Sequence, residues 1–309
     1  MRFRRLGDSG LKVSEVGLGC NNFGMRIDAA GTADVVNAAI DAGVTLFDTA
    51  DIYGGTKSEE FLGQALGKRR HDVVLATKFG MQIGKDERRK GGSRRWIMQA
   101  VEDSLSRLGT DYIDLYQHHQ PDPETPLDET LRALDDLVTQ GKVRYIGNSN
   151  YTGWQIADAD WTAAGRSRFV SAQNLYSLLE RKSAFEVLPA CEHFGLGFLP
   201  FFPLASGLLS GKYRRGDEPP PGTRLAAWGA RGQAALNDRN FDRVEALTAW
   251  ADARGHTLLE LAFAWLLGQP VVSSVIAGAT SPEQVQANVA ASEWRLTPEE
   301  VAEVTGLVS

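Results

Sequence analysis

Cysteine is nearly missing from this chain: its 309 residues hold two, Cys20 and Cys191. Two thiols cannot build a disulfide framework or a cysteine-rich metal site, and they fit the reduced thiols of a cytoplasmic protein. Histidine is scarce as well, with five residues. The adjacent pair His118-His119 lies in a run that reads as a strand, where neighbours point to opposite faces and cannot share one ion. Basic charge is not in excess. The chain has 33 Lys and Arg against 39 Asp and Glu, a formal net charge of −6, which argues against a nucleic-acid partner.

Long apolar runs are missing too. Arg2, Arg4 and Arg5 are followed by Asp8, Lys12 and Glu15 rather than by an apolar stretch, so no secretory signal is expected. The uncharged stretches 194–211 and 261–282 are broken by Pro200 and Pro203, and by Gly268-Gln269-Pro270. Neither reads as a bilayer span, and the second divides into a buried helix and a buried strand. Several motifs are absent. The nearest approach to a dinucleotide fingerprint, Gly17-x-Gly19-x-x-Asn22, lacks its third glycine. GLLSGKY (207–213) is one residue short of a phosphate-binding loop and ends in Tyr. There is no G-x-S-x-G elbow and no H-E-x-x-H.

What is present is ordinary globular composition, 43% apolar and 23% charged, and a recurring order of elements. Eight short apolar runs read as strands: 16–19, 45–48, 73–78, 113–119, 143–149, 169–174, 197–201 and 271–277. Amphipathic helical patterns lie between them, over 32–42, 59–66, 94–108, 127–139, 184–193, 241–254 and 282–290. Strands alternating with helices imply parallel strands joined by right-handed crossovers. A single (β/α)8 TIM barrel over 1–309 has no sheet edge; an open doubly wound sheet is the alternative. Residues 3–13 read as a β-hairpin around Gly7-Asp8-Ser9-Gly10. The segment 204–240, with Pro219 to Pro221, reads as a long βα loop at the C-terminal mouth.

In such a barrel, the C-terminal ends of the strands converge on one mouth. Those positions hold Asp48, Lys78, His119, Ser149-Asn150, Gln173 and Phe201, with Tyr53 on the loop after Asp48. Each alone has a plain reading: a cap, a solvated charge, a core histidine, a packed ring. Together they suit proton transfer to a carbonyl or alkoxide oxygen. A free phenol ionises near pH 10. A nearby ammonium favours phenolate and lowers that value, a carboxylate would hold the ammonium, and a histidine could orient the carbonyl. With a hydride donor this is carbonyl reduction.

The sequence resembles the aldo-keto reductase family over essentially its whole length, near the branch of bacterial and plant reductases and potassium-channel β-subunits. The resemblance is carried by GVTLFDTADIYGG (43–55), LATKFG (75–80), DLYQHHQPD (114–122), GKVRYIGNSN (141–150), AQNLYSLLER (172–181), FFPLASGLLSGKY (201–213) and VIAGATSPEQVQAN (275–288), in the family's order. It implies a catalytic tetrad of Asp48, Tyr53, Lys78 and His119, with His118 left as packing. It implies NADPH as cofactor and an aldehyde or ketone as the small carbonyl substrate. The alternative it implies is a nucleotide-binding regulatory module of the channel β-subunit type, with little turnover.

The resemblance also implies a cofactor path. Ser149, Asn150 and Gln173 would hold the nicotinamide amide, and Phe201 would stack on the ring. Phe202, Pro203, Leu204, Gly207, Leu208 and Leu209 would follow the pyrophosphate, joined by Lys212. Gly278, Thr280, Ser281, Gln284 and Asn288 would hold the adenosine end. Ser281-Pro282-Glu283-Gln284 also reads as a capped helix start, which is a ready anion site. No Lys or Arg lies in 276–288, so the expected NADPH preference is modest and NADH should be usable. Asn22, Phe23, Ile52 and Tyr53 are expected to line the remaining pocket. Trp228 either covers it or packs. The basic run Lys85, Arg88, Arg89, Lys90, Arg94 and Arg95 reads as a solvated loop. No membrane partner is expected, and the family implies a monomer or weak oligomer.

Overall fold

The computed structural model describes residues 1–308. Its N-terminus is an antiparallel hairpin, β1 (Phe3–Arg5) and β2 (Lys12–Ser14). Leu6 and Val13 are buried with Leu46, Ala76, Leu115 and Leu199 in one apolar cluster, so the hairpin closes the floor of the barrel. Arg4 fastens it there: its guanidinium donates to Glu15, Val272 O and Leu267 O.

Eight parallel strands follow: β3 (Val16–Gly19), β4 (Leu46–Asp48), β5 (Val74–Phe79), β6 (Ile113–His118), β7 (Val143–Ser149), β8 (Phe169–Gln173), β9 (Gly197–Phe198) and β10 (Val275–Gly278). They pair in chain order, and β10 returns to β3 in parallel register. The last seam, between β9 and β10, is closed by single bridges rather than a ladder: Phe198 to Val272 and Phe201 to Ile276. The reason is local. Pro200 has no N–H to give, so the run 197–201 cannot continue as a strand. The result is the (β/α)8 barrel with its hairpin, not the open sheet.

The intervening helices are α1 (Ala29–Asp41), α2 (Lys57–Leu66), α3 (Arg94–Leu108), α4 (Leu127–Thr139), α5 (Gly153–Thr162), α6 (Ser183–Phe194), α7 (Arg224–Ala227), α8 (Ala230–Ala235), α9 (Asp238–Asp252), α10 (Leu258–Leu267), α11 (Pro282–Ala291) and α12 (Pro298–Leu307). Helices α3 and α4 begin and end where the apolar spacing predicts. Short polar side chains start the ladders: Ser93 accepts from Trp96 N, and Thr152, Thr257 and Thr297 form capping boxes with Gln155, Glu260 and Glu300. The segment 204–240 is not one irregular loop. It holds a 3-10 stretch, Ala205–Ser210, and the short helices α7 and α8.

No helix among the described residues is long and apolar enough to cross a membrane. Trp154 and Trp161, one face of α5, and Phe185 on α6 are exposed, an aromatic surface that the helical patterning does not foretell.

Candidate active site

Strand alternation places the chemistry. On β6, Gln117 points into the barrel, His118 points out to the helices, and His119 turns back to the mouth. His118 stacks on Phe79, ring centroids 5.0 Å apart, and its Nδ1 lies 2.9 Å from the Tyr151 hydroxyl. It therefore packs, while His119 faces the cavity.

Four elements bring the tetrad together. Asp48 ends β4, and Lys78 lies near the end of β5, fully buried. The ammonium of Lys78 donates to Asp48 Oδ2 at 2.7 Å, to Thr49 O at 2.7 Å, and to the Tyr53 hydroxyl at a longer 3.4 Å. Tyr53 opens a 3-10 turn, Tyr53–Thr56, whose sharp bend needs Gly54 at φ 59°; a Cβ there would meet Phe23 O at 2.5 Å. The His119 ring stands edge-on to the Tyr53 ring, centroids 5.7 Å apart and planes at 80°. Its Nδ1 is buried with no hydrogen-bond partner among the described residues.

The electrostatics differ from the sequence expectation in one respect. Lys78 does pull the Tyr53 pKa down, but burial of the phenol and the field of Asp48 push it up, and the net shift is upward. Desolvating the phenolate outweighs an ammonium whose charge is mostly taken by Asp48. Tyr53 is thus a protonated phenol at neutral pH. Burial disfavours the charged form of Lys78, yet Asp48 and Tyr53 hold its pKa above the usual value. His119 is neutral: burial first, then Lys78, drive its pKa well below the ordinary range. Cys20 lines the cavity, but burial and Asp48 push its thiol pKa well up, so it is not a thiolate.

The cavity at this mouth has a volume of about 610 Å³. Its wall includes Asp48, Tyr53 and His119, and then Ser149, Asn150, Gln173, Phe201, Phe202, Pro203, Leu204, Gly207, Lys212, Gly278, Thr280, Gln284 and Asn288. Leu209 and Ser281 are not on that wall. Leu209 is fully buried in the main core. Ser281 stands at the start of α11 but its side chain makes no capping bond; Gln284 instead accepts from Thr280 N at 2.9 Å and from the Thr280 hydroxyl at 3.3 Å, so the expected capping box does not form. Asn22 lines the cavity, Phe23 is buried in the core, and Ile52 is off the wall. Trp228 packs edge-on against Phe202, ring centroids 6.2 Å apart. In the basic run, Arg88, Arg89, Lys90 and Arg94 each pair with a surface carboxylate.

Three cations that the motifs did not single out together meet at the far end of the cavity: Arg26, Lys212 and Arg224. Arg26 donates to Gly222 O, and Arg224 to Asn21 and Asn22 side-chain oxygens at 3.3 and 3.0 Å. Asp48 is the only carboxylate on the wall among the described residues, and it is taken by Lys78. Burial first, and then repulsion from the neighbouring cations, lower the pKa of Lys212 and of Arg224. Arg224 left no local signal in the sequence, because only folding of the 204–240 segment brings it to Asn22. The polar backbone conformations agree. Of five non-glycine residues with positive φ, Asn150, Phe202 and Ser206 line this cavity, and such strain collects at functional sites.

The amide groups fit a carboxamide in one direction only. Asn150 Nδ2 donates to His119 O and Ser149 Oγ, and Gln173 Nε2 donates to Asp48 Oδ1 at 2.9 Å. Their carbonyl oxygens remain as acceptors, and the Ser149 hydroxyl remains as a donor.

Residues 15–309 match the family model "Aldo/keto reductase family". A "Probable voltage-gated potassium channel subunit beta" from Oryza sativa subsp. japonica is 38% identical, covering 100% of this chain and 97% of its own length. An "Uncharacterized oxidoreductase YrpG" from Bacillus subtilis (strain 168) is 38% identical over 97% of this chain and 93% of its own. A "Versiconal hemiacetal acetate reductase" from Aspergillus parasiticus is 35% identical over 97% and 95%. The chain belongs to the aldo-keto reductase family, whose members generally use nicotinamide cofactors.

Proposed function

We propose that this protein is an NADPH-linked reductase that converts aldehydes or ketones to alcohols. The observation that carries the reading is the chain Asp48–Lys78–Tyr53 ending in a phenol at the cavity, with a neutral His119 edge-on beside it. When bound, the nicotinamide supplies a hydride. Ser149, Asn150 and Gln173 would hold its carboxamide and Phe201 would support the ring. Arg26, Lys212 and Arg224 would receive the phosphates, with Thr280, Gln284 and Asn288 at the adenosine end.

The substrate carbonyl would sit between Tyr53 and His119. His119, as neutral imidazole, donates a ring N–H to the oxygen and orients it. Tyr53 gives its proton to the same oxygen as negative charge develops there, and Lys78 stabilises the phenolate left behind. Asp48 keeps Lys78 charged and aimed. The phosphate end favours NADPH more strongly than segment 276–288 alone suggests, because Arg224 and Lys212 supply the charge that segment lacks.

A regulatory nucleotide-binding module is the second reading, favoured by the channel β-subunit names among the relatives. Both readings need the cofactor cavity; only the first needs turnover. Loss of reduced-nicotinamide absorbance with a panel of aldehydes and ketones supports the reductase. Tight NADPH binding with no turnover on any of them supports the module.

A further inference from the structure

Gln117 lies on β6 at the floor of the site, fully buried and two residues before His119, which follows the strand. Its Nε2 donates to Asp48 Oδ1 at 3.1 Å. Gln173 Nε2 donates to that same oxygen at 2.9 Å and reaches Gln117 Oε1 at 3.5 Å. The other oxygen, Oδ2, takes Lys78. One carboxylate thus receives a donor from each of three other strands, with both of its oxygens engaged.

The barrel makes room for this. Gln117 is in register with Lys78 on β5 and with Gly147 on β7. A Cβ at position 147 would stand 2.3 Å from Ser171 Oγ and 3.2 Å from Gln117 Cγ, so a larger residue there would crowd the amide. Beneath it, Leu46, Ala76 and Leu115 form an apolar layer. Gln117 is where the polar layer of the barrel begins.

We propose that Gln117 is a positioning residue for proton transfer: it fixes the Asp48 carboxylate with Oδ2 on Lys78, and it couples that pair to Gln173 on the cofactor side. The proposal rests on Tyr53 being the proton donor. An amide suits the task because it stabilises the negative charge without neutralising it. A cation at 117 would compete with Lys78 for Asp48, and a carboxylate would repel Asp48. Without the amide, Oδ1 keeps only Gln173 and the Asp48 charge is less compensated. Its field on Tyr53 grows and it claims more of the Lys78 charge, and both changes make the phenolate harder to form.

The test is Gln117→Met, which keeps the length of the side chain and removes its hydrogen bonds. Tyr53 is replaced by 3,5-difluorotyrosine, whose phenol ionises near neutral pH, and its titration is followed by fluorine NMR in cofactor-free protein. The expected result is an upward displacement of about one pH unit relative to the same label with Gln117 intact. In unlabelled enzyme, the rising limb of alcohol oxidation against pH should move by the same amount, a tenfold loss at fixed pH, with KM for cofactor within about twofold. Gln117→Glu should match the parent while the new carboxyl is protonated and fall below it once ionised; this variant also serves if Gln117→Met does not fold. Coincident titrations of parent and variants overturn the proposal. A parent that shows no turnover overturns the reductase reading instead, and the fluorine titration still decides Gln117.

Discussion

Lys78 and Asp48 meet inside the barrel with Nζ 2.7 Å from Oδ2 and neither side chain more than 4% exposed. A buried pair of this kind is no large source of net stability, but removing one partner strands the other. Lys78→Met should therefore unfold at lower urea concentration, by about 3–5 kcal/mol, and should also lose turnover. Asp48→Asn combined with Lys78→Met should recover much of the stability and none of the activity. Equal stability in the single and double variants would show that Asp48 finds another partner.

Arg224 tests the cofactor assignment. If it pairs with the phosphate of the ribose, Arg224→Ala should lower kcat/KM for NADPH about 10- to 150-fold, the worth of a charge-assisted hydrogen bond of roughly 1.5–3 kcal/mol. The value with NADH should change little. Equal losses with both cofactors would place the arginine on the pyrophosphate.

His118 predicts a pH dependence of stability. Burial lowers its pKa to about 4. A histidine buried neutral contributes stability that is present above its unfolded pKa and lost as pH falls from about 6.5 toward 4. Between pH 7.5 and pH 5 its share of the loss is about 2 kcal/mol, from roughly 1.5 pH units at 1.36 kcal/mol each. His118→Gln should flatten the urea-unfolding midpoint against pH by that share. The remaining slope belongs in part to His119, which is shifted the same way.

Asp51 predicts the opposite slope. Both of its carboxylate oxygens are buried with no hydrogen-bond partner among the described residues. Burial, and after it the charge of Glu59, raises its pKa well above the usual carboxylate value. A raised carboxyl contributes stability that is full below its unfolded pKa and is lost as pH rises through the folded one. Asp51→Asn should equal the parent near pH 4 and become progressively more stable than it toward pH 8. A constant difference across that range would mean Asp51 does not change charge on folding.

The barrel and the tetrad positions were legible because both depend on short-range regularities. Apolar runs of strand length alternate with helical spacing, and strand ends share one mouth. Gln117 was legible in principle by the same rule, since it lies two residues before His119, but an amide in an apolar strand gives no charge signal. Arg224 and Lys212 were not legible as a cluster, because they converge through the fold of 204–240. The direction of the Tyr53 pKa was misread for a related reason: proximity to Lys78 is written in the motif spacing, whereas the burial that outweighs it belongs to the whole mouth. Helix α12 was missed although Thr297-Pro298-Glu299-Glu300 carries its capping box.

The most direct test compares the parent with Tyr53→Phe, using NADPH and an aldehyde the parent reduces, in single turnover and in cofactor binding. Removing the proton donor should slow reduction by about 10²- to 10⁴-fold and leave the NADPH dissociation constant unchanged, because in the proposed arrangement the hydroxyl meets the substrate carbonyl and makes no hydrogen bond to the cofactor. A Tyr53→Phe protein that reduces the aldehyde at the parent's rate would contradict the account.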